Sequence, residues 1–173
     1  LAGEVVGAAD EVVPMILKGE GIKNTLIISP PGAGKTTMLR DIVRQLSYKS
    51  YRVSVVDERS EIAALCEGRS AFDLGFSTDI LEGVDKAEGM LMVLRSMSPD
   101  VIVTDEIGKQ SDIDAIERIT NSGAAVIATI HGRNIDMIKR RDDLKRMLKF
   151  FDLIITLSKR KGIGTVEEAL TEW

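Results

Sequence analysis

A length of 173 residues with 44% hydrophobic and 29% charged residues suits one folded domain over residues 1–173, and excludes low-complexity and fibrous classes. The net charge of -4 argues against a dedicated nucleic-acid binder, while the single cysteine, Cys66, excludes an internal disulfide and suits a reducing cytoplasm. No run approaches the ~18 apolar residues a membrane-spanning helix needs, and no secretory signal pattern is seen.

In chain order, Val5, Val6, Ala9, Val12, Val13, Ile16 and Leu17 recur at helical spacing, and Gly19 and Gly21 are expected to stop that helix. Residues 24–29 (NTLIIS) form a short apolar run that predicts a buried strand, and 30–34 predict a turn. Met38, Leu39, Ile42, Val43 and Leu46 then make a helical stripe. Four further strand-like runs lie at 52–57 (RVSVVD), 100–105 (DVIVTD), 124–129 (AAVIAT) and 152–157 (DLIITL). Between them are helical patterns at Ala87, Met90, Leu91, Leu94 and Met97, and at Ile113, Ile116 and Ile119. Ser111 and Asp114 resemble a capping-box start for the second pattern and Gly123 its stop. Residues 68–83 lack periodicity and predict a loop beside the ligand. Strands apolar throughout, alternating with helices, predict an α/β fold with a five-stranded, mostly parallel core sheet sandwiched by helices. The strand ending at Asp105 is expected to lie next to the one at 26–29.

The strongest chemical signal is Ser29-Pro-Pro-Gly-Ala-Gly-Lys-Thr-Thr37. A polyphosphate needs inward backbone N–H groups, a helix N-terminus behind them and a flexible cation. Pro31, Gly32, Ala33 and Gly34, with Lys35, Thr36 and Thr37, are therefore the candidate ATP contacts. Lys35 would reach the β- and γ-phosphates, and the Thr36 hydroxyl would ligate magnesium. Ser29 stands where the usual pattern has its first glycine, but an apolar strand enters the loop and an amphipathic helix leaves it.

Val101-Ile-Val-Thr-Asp-Glu106 supplies the second half. A buried strand would present Asp105 to the magnesium shell and Glu106 to the attacking water. An adjacent Asp-Glu pair, without a guanine-reading NKxD motif, separates the chain from GTPases and small-molecule kinases. The fold expectation is a P-loop NTPase of the additional-strand, catalytic-glutamate type, RecA/AAA-like. His131, the single histidine, follows a strand and would stand near the γ-phosphate, although lone histidines are commonly packing or surface residues. Asp57, Glu58 and Glu61 end another strand and could hold a water near the metal. Lys139, Arg140, Arg141, Lys145, Arg146 and Lys149, interrupted by Asp142 and Asp143, predict a solvated helix face.

On Ala2-Gly-Glu-Val-Val-Gly7, SPPGAGKTT, VVDERSEI, LRSMSPDVIVTDEIG and ATIHG, in that order, the chain resembles the stage III sporulation protein AA family of AAA+ ATPases. That family is similar to the secretion and pilus motors. The resemblance implies an acidic box at Asp57, Glu58 and Glu61, a catalytic arginine at Arg95 and a histidine box at Thr129 and His131. It further implies a homo-oligomeric ring, with a hexamer as the candidate form, whose Arg59 or Arg69 acts on a neighbour's nucleotide, at membrane channel proteins on the cytoplasmic, mother-cell side. The motors usually show Gly-Glu where Asp105-Glu106 stands, which favours metal binding by Asp105. Because the chain begins at Leu1 rather than Met, it is expected to be a domain excised from a longer protein. A nucleic-acid-dependent ATPase and an assembly module that binds ATP with negligible turnover are the alternatives. The acidic charge and 4% aromatic content weigh against nucleic acid as a partner.

Overall fold

The computed structural model describes residues 4–19 and 21–173, so Ala2 and Gly3 of the N-terminal motif lie outside the described residues. Turns over 6–12 lead to α1 (Val13–Ile16), then a small hairpin of β1 (Leu17–Lys18) and β2 (Gly21–Ile22). β3 (Thr25–Ser29) and α2 (Lys35–Tyr48) come next, followed by β4 (Val53–Asp57) and β5 (Thr78–Glu82). α3 (Lys86–Ser96), β6 (Val101–Thr104), α4 (Gln110–Ser122) and β7 (Ala125–His131) continue the alternation. α5 (Ile135–Lys139), α6 (Asp142–Lys145) and a 3-10 segment (Arg146–Phe150) lead to β8 (Leu153–Ser158) and β9 (Thr165–Leu170). The basic cluster thus lies on several short helical segments rather than on one helix face.

Among the described residues seven strands form the main sheet, in the order β5-β4-β6-β7-β3-β8-β9. All neighbours are parallel except the antiparallel β8–β9 pair. All five expected runs are strands. β5 adds an edge inside the segment expected to be a loop, and β9 adds the other edge. Their burial is partial, so neither makes the apolar run that marks the central strands.

Strand residues alternate between the two faces, as the two-residue repeat requires. Ile27, Val55, Val103, Ile127 and Ile155 pack on the face covered by α1 and α2. Leu26, Ile28, Ile102, Val126 and Ile154 pack on the face covered by α3 and α4. Each fully buried isoleucine or leucine contributes about 1.5–3 kcal/mol against exposure, so both faces hold their helices firmly.

The expected adjacency of the strands ending at Ser29 and Asp105 is corrected: β7 lies between β3 and β6. It is fastened there on both sides. The Val126 amide donates to the Asn24 side chain at 3.0 Å, just before β3, and the Ile107 amide donates to the Thr129 carbonyl at 2.9 Å, just after β6. The inserted strand is the feature that the additional-strand class expects.

Two local expectations also change. The N-terminal apolar stripe is buried at Ala9, Val12, Val13 and Ile16, but only Val13–Ile16 is helical. Pro14 lacks an N–H and is tolerated only in a helix's first turn, so the helix starts there. At α4 the capping carboxylate is Asp112, not Asp114; it accepts the Gly108 and Lys109 amides at 2.9 Å each.

The N-terminal turns are held to α2 through Asp41, whose buried carboxylate accepts the Ala9 amide, Gln45 and Arg44, each at 2.8 Å. Burial pushes this carboxyl up, but those partners outweigh it and leave it below its ordinary value. A depressed carboxyl stabilises above its unfolded value near 3.9, and the contribution is lost as pH falls through the lower folded value. Asp41→Ala is therefore expected to lower stability at pH 7 by about 1–3 kcal/mol, measured by urea unfolding. The gap to the wild type should narrow below pH 4; an undiminished gap at pH 3 would contradict this account.

Candidate active site

Parallel strands deliver their carboxyl ends to one edge, where ligands of such sheets collect. β3 ends at buried Ser29 and turns through Pro30 to Gly34 into α2. Gly32 and Gly34 have φ of +67° and +89°, values that favour glycine because a Cβ is disfavoured there. No side chain caps α2, so its first-turn amides remain available to an anion. Lys35 opens this 14-residue helix, with Thr36 and Thr37 behind it, all three half-buried.

β6 ends two strands away, in Asp105 and Glu106. The Glu106 backbone has φ of +43°, a left-handed conformation that costs about 1–3 kcal/mol outside glycine. Two contacts hold it: its amide donates to Thr129 Oγ1 at 2.9 Å, and its carbonyl accepts Lys86 Nζ at 3.0 Å. The side chain is thereby brought into direct contact with Lys35, through Oε1, while Oε2 accepts Arg59 at 2.5 Å. The Lys35 bond is the largest influence on the Glu106 carboxyl and, with Arg59 and Lys86, holds it below the usual range against burial.

Asp105 has the opposite environment. It is 1% exposed and neither carboxylate oxygen has a hydrogen-bond partner among the described residues. Burial pushes it up; Lys86 opposes this, and Asp57, Glu61 and Glu106 add to it. A buried carboxylate without a partner is costly unless it meets a cation or a proton.

His131 ends β7, exposed, in register with Ser29, so it stands between the Lys35 loop and the Glu106 strand end. Arg95 does not join them. It is exposed in the last turn of α3, about 13 Å along the helix from Lys86, which touches the Glu106 carbonyl. The catalytic role expected of Arg95 within this chain is corrected accordingly: it lies at the opposite edge, where Pro99 and Asp100 enter β6. Asp57 is corrected too. Its carboxylate accepts the Glu61, Ile62 and Ala63 amides at 2.8–2.9 Å, so it is engaged in shaping the loop rather than in holding the water expected near the metal. Glu58 pairs with Lys86 at 3.5 Å. Arg69 is exposed on a turn closed by backbone bonds to Cys66. Sequence reasoning missed Lys86, which follows the N-cap Asp85 and belongs to no motif.

A cavity of about 490 Å³ opens along Gly32, Gly34, Lys35, Thr36 and Thr37, with Val5, Ala8 and Ile163 also in its wall. Ile163 and Gly164 come from the β8–β9 connection, whose Gly164 amide donates to the Ala33 carbonyl at 3.0 Å. No helix among the described residues is long and apolar enough to cross a membrane.

A parallel sheet with a strand between the phosphate-type loop and the acidic strand end, and helices on both faces, is the fold of the P-loop ATPases that serve secretion and pilus machines. It overlays the Legionella pneumophila ATPase DotB with a TM-score of 0.62 at 20% identity, covering 85% of this chain and 43% of that one. For the pilus retraction motor PilT, solved with ADP, the TM-score is 0.66 at 19% identity, covering 90% and 48%. The family model "Sporulation stage III, protein AA" matches residues 1–172, and the chain belongs to that family. Stage III sporulation protein AA of Bacillus subtilis strain 168 is 39% identical over 175 residues. That match takes in 97% of this chain but 57% of the relative, so the chain spans little more than half of the relative's length.

Gly34 lies under the β8–β9 connection so closely that a Cβ there would sit 2.8 Å from Ile163 Cγ2 and 3.3 Å from the Gly164 nitrogen. Gly34→Ala should push the connection off the loop and accelerate hydrogen exchange at the Gly164 amide, with core amides unchanged. Unaltered protection at Gly164 would show that the contact does not depend on this glycine.

Proposed function

We propose that the chain is the magnesium-dependent, ATP-binding and ATP-hydrolysing motor part of a sporulation protein. One observation carries the reading: Lys35, at the start of the loop helix, and Glu106, at the acidic strand end, are in direct contact beside an orphaned buried carboxylate, Asp105. ADP in the pilus motor PilT, which shares this fold, supports a nucleotide as the ligand.

In this reading the loop amides and the α2 N-terminus bind the polyphosphate, and Lys35 exchanges the Glu106 carboxylate for phosphate oxygens. Pro31, Gly32, Ala33 and Gly34 form the curl of the loop, and Thr36 and Thr37 meet the phosphates from the helix. The residues fit magnesium: the Thr36 hydroxyl and the Asp105 carboxylate would hold it, and the ion would neutralise charge on the phosphate oxygens. Released from Lys35 while still held by Arg59, Glu106 accepts a hydrogen bond from water and orients it. His131 stands between loop and base and is placed to contact the terminal phosphate. Arg59 therefore acts inside its own chain, on the base.

The same reading has the full-length protein assemble into a homo-oligomeric ring, taken to be a hexamer. That ring works at membrane channel proteins from the cytoplasmic, mother-cell side. Family membership and the secretion-motor fold support this assignment.

Lys35→Ala should abolish or severely weaken ATP binding by calorimetry, and tight binding by that variant would sink the assignment. Glu106→Gln should keep ATP affinity while slowing hydrolysis on the order of 10²-fold. An equal loss of binding would instead place Glu106 in the binding shell.

A further inference from the structure

One cation at the loop remains outside the roles assigned above. Lys159 directly follows β8, the strand beside β3 on the side away from β7. A Cβ built on Gly32 would lie 2.9 Å from Lys159 Nζ and 3.4 Å from its Cε, so the ammonium hangs over the α-carbon of Gly32. The chain neighbours of Lys159 are engaged: Ser158 Oγ and Arg160 Nε both donate to Glu167, at 2.5 and 3.0 Å. Among the described residues no carboxylate or carbonyl accepts from Lys159.

Glu106 pairs with Lys35, but the position is otherwise rich in positive charge and donors. Lys35, the α2 N-terminus and the loop amides already present positive charge or donors, and Lys159 adds a second full cation with no acidic partner. Cations converge in this way where an anion carrying several charges binds between them. The strand order fixes the geometry: Glu106 and His131 stand on one side of the loop, and Lys159 on the other. Because the cavity runs from Lys35 and Thr37 toward Val5, Ala8 and Ile163, the base and ribose have room there. Gly32 lines the loop end of the same cavity, on the side away from Val5 and Ala8 in this reading.

We propose that Lys159 is a second phosphate-binding cation, supplied by the same chain, which brackets the terminal phosphates of a nucleoside polyphosphate from the side opposite Glu106. This rests on the ATP reading above. The hairpin that carries Lys159 also bonds the loop through Gly164 and Ala33, so phosphate binding pulls both onto one ligand.

The test is calorimetric titration of the full chain with Mg-ATP, Mg-ADP and AMP, alongside thermal unfolding without nucleotide. Lys159→Ala should weaken Mg-ATP binding about tenfold, in the range expected for one charge-assisted contact, and leave AMP binding and the ligand-free melting temperature unchanged. Lys159→Arg should retain most of the ATP affinity, and Lys161→Ala, two residues further along the hairpin, should match the wild type. The ATP deficit of Lys159→Ala should shrink as salt is raised, because the contact is exposed to screening. Wild-type ATP affinity in Lys159→Ala, with Lys35→Ala inactive in binding, would overturn the role of Lys159 and leave the ATP reading standing. Normal ATP binding by Lys35→Ala would remove the ATP reading, and this proposal with it. An equal loss of AMP binding, or a lowered melting temperature, would make Lys159 a structural residue of the hairpin and also refute the proposal.

Discussion

Parallel pairing is the constraint on which the site depends. Because β4, β6, β7, β3 and β8 all run the same way, Asp57, Asp105, His131, Ser29 and Ser158 arrive at one edge although they are far apart in sequence. An antiparallel arrangement would send every second one to the opposite edge. Both faces must be apolar for such a sheet to be covered by helices, and the strand residues facing α2 and those facing α4 are buried alike. The chemistry is thus placed by core packing, and the polar residues occupy the positions where the strands end.

At that edge the charges are divided between two opposite situations. Glu106 is half-exposed and surrounded by Lys35, Arg59 and Lys86, so it stays ionised. Its neighbour Asp105 is enclosed and unpartnered, and burial pushes its carboxyl up. Adjacent carboxylates with divergent environments suit two tasks, one next to a cation and one next to water. The left-handed backbone at Glu106 is what separates them, since it turns one side chain toward Lys35 while the other stays under the strand end. Thr129 holds that conformation from the inserted strand, which gives β7 a chemical consequence as well as a place in the sheet.

The elements legible in the sequence were those whose signal is local. The central strands were visible as apolar runs, α2, α3 and α4 as stripes, and the loop at Lys35 and the Asp105-Glu106 pair as contiguous motifs. Strand order was not legible, because five uniformly apolar runs carry no address, and β7 takes its position through long-range bonds to Asn24 and Ile107. The edge strands β5 and β9 were hidden by their mixed polarity. The apolar spacing of the N-terminal segment extends before Pro14, so it suggests a longer helix than Val13–Ile16. Arg95 was placed by likeness to a motif, whereas the length of α3 carries it away from the loop. Asp57 shows a related limit of sequence: a carboxylate at a strand end satisfies backbone amides as readily as it holds a water, and here the amides of Glu61, Ile62 and Ala63 take it.

The loop is gripped from two directions by contacts of different kinds. On the β6 side the contact with Lys35 is ionic and must break when Lys35 turns to another anion. On the β8 side the Gly164 amide meets the Ala33 carbonyl, a backbone bond that uses a loop carbonyl and none of the loop's N–H groups. In the proposed reading an arriving polyphosphate would compete with Glu106 for Lys35 but would have no need to displace the hairpin. In that reading the consequence is directional: ligand binding would loosen the Glu106 carboxylate while the backbone bond between the loop and the β8–β9 hairpin is kept. Glu106 is then retained by Arg59, the Lys86 contact to its carbonyl and the Thr129 contact to its amide. Those three contacts determine where the freed carboxylate can reach, and none of them involves the loop itself.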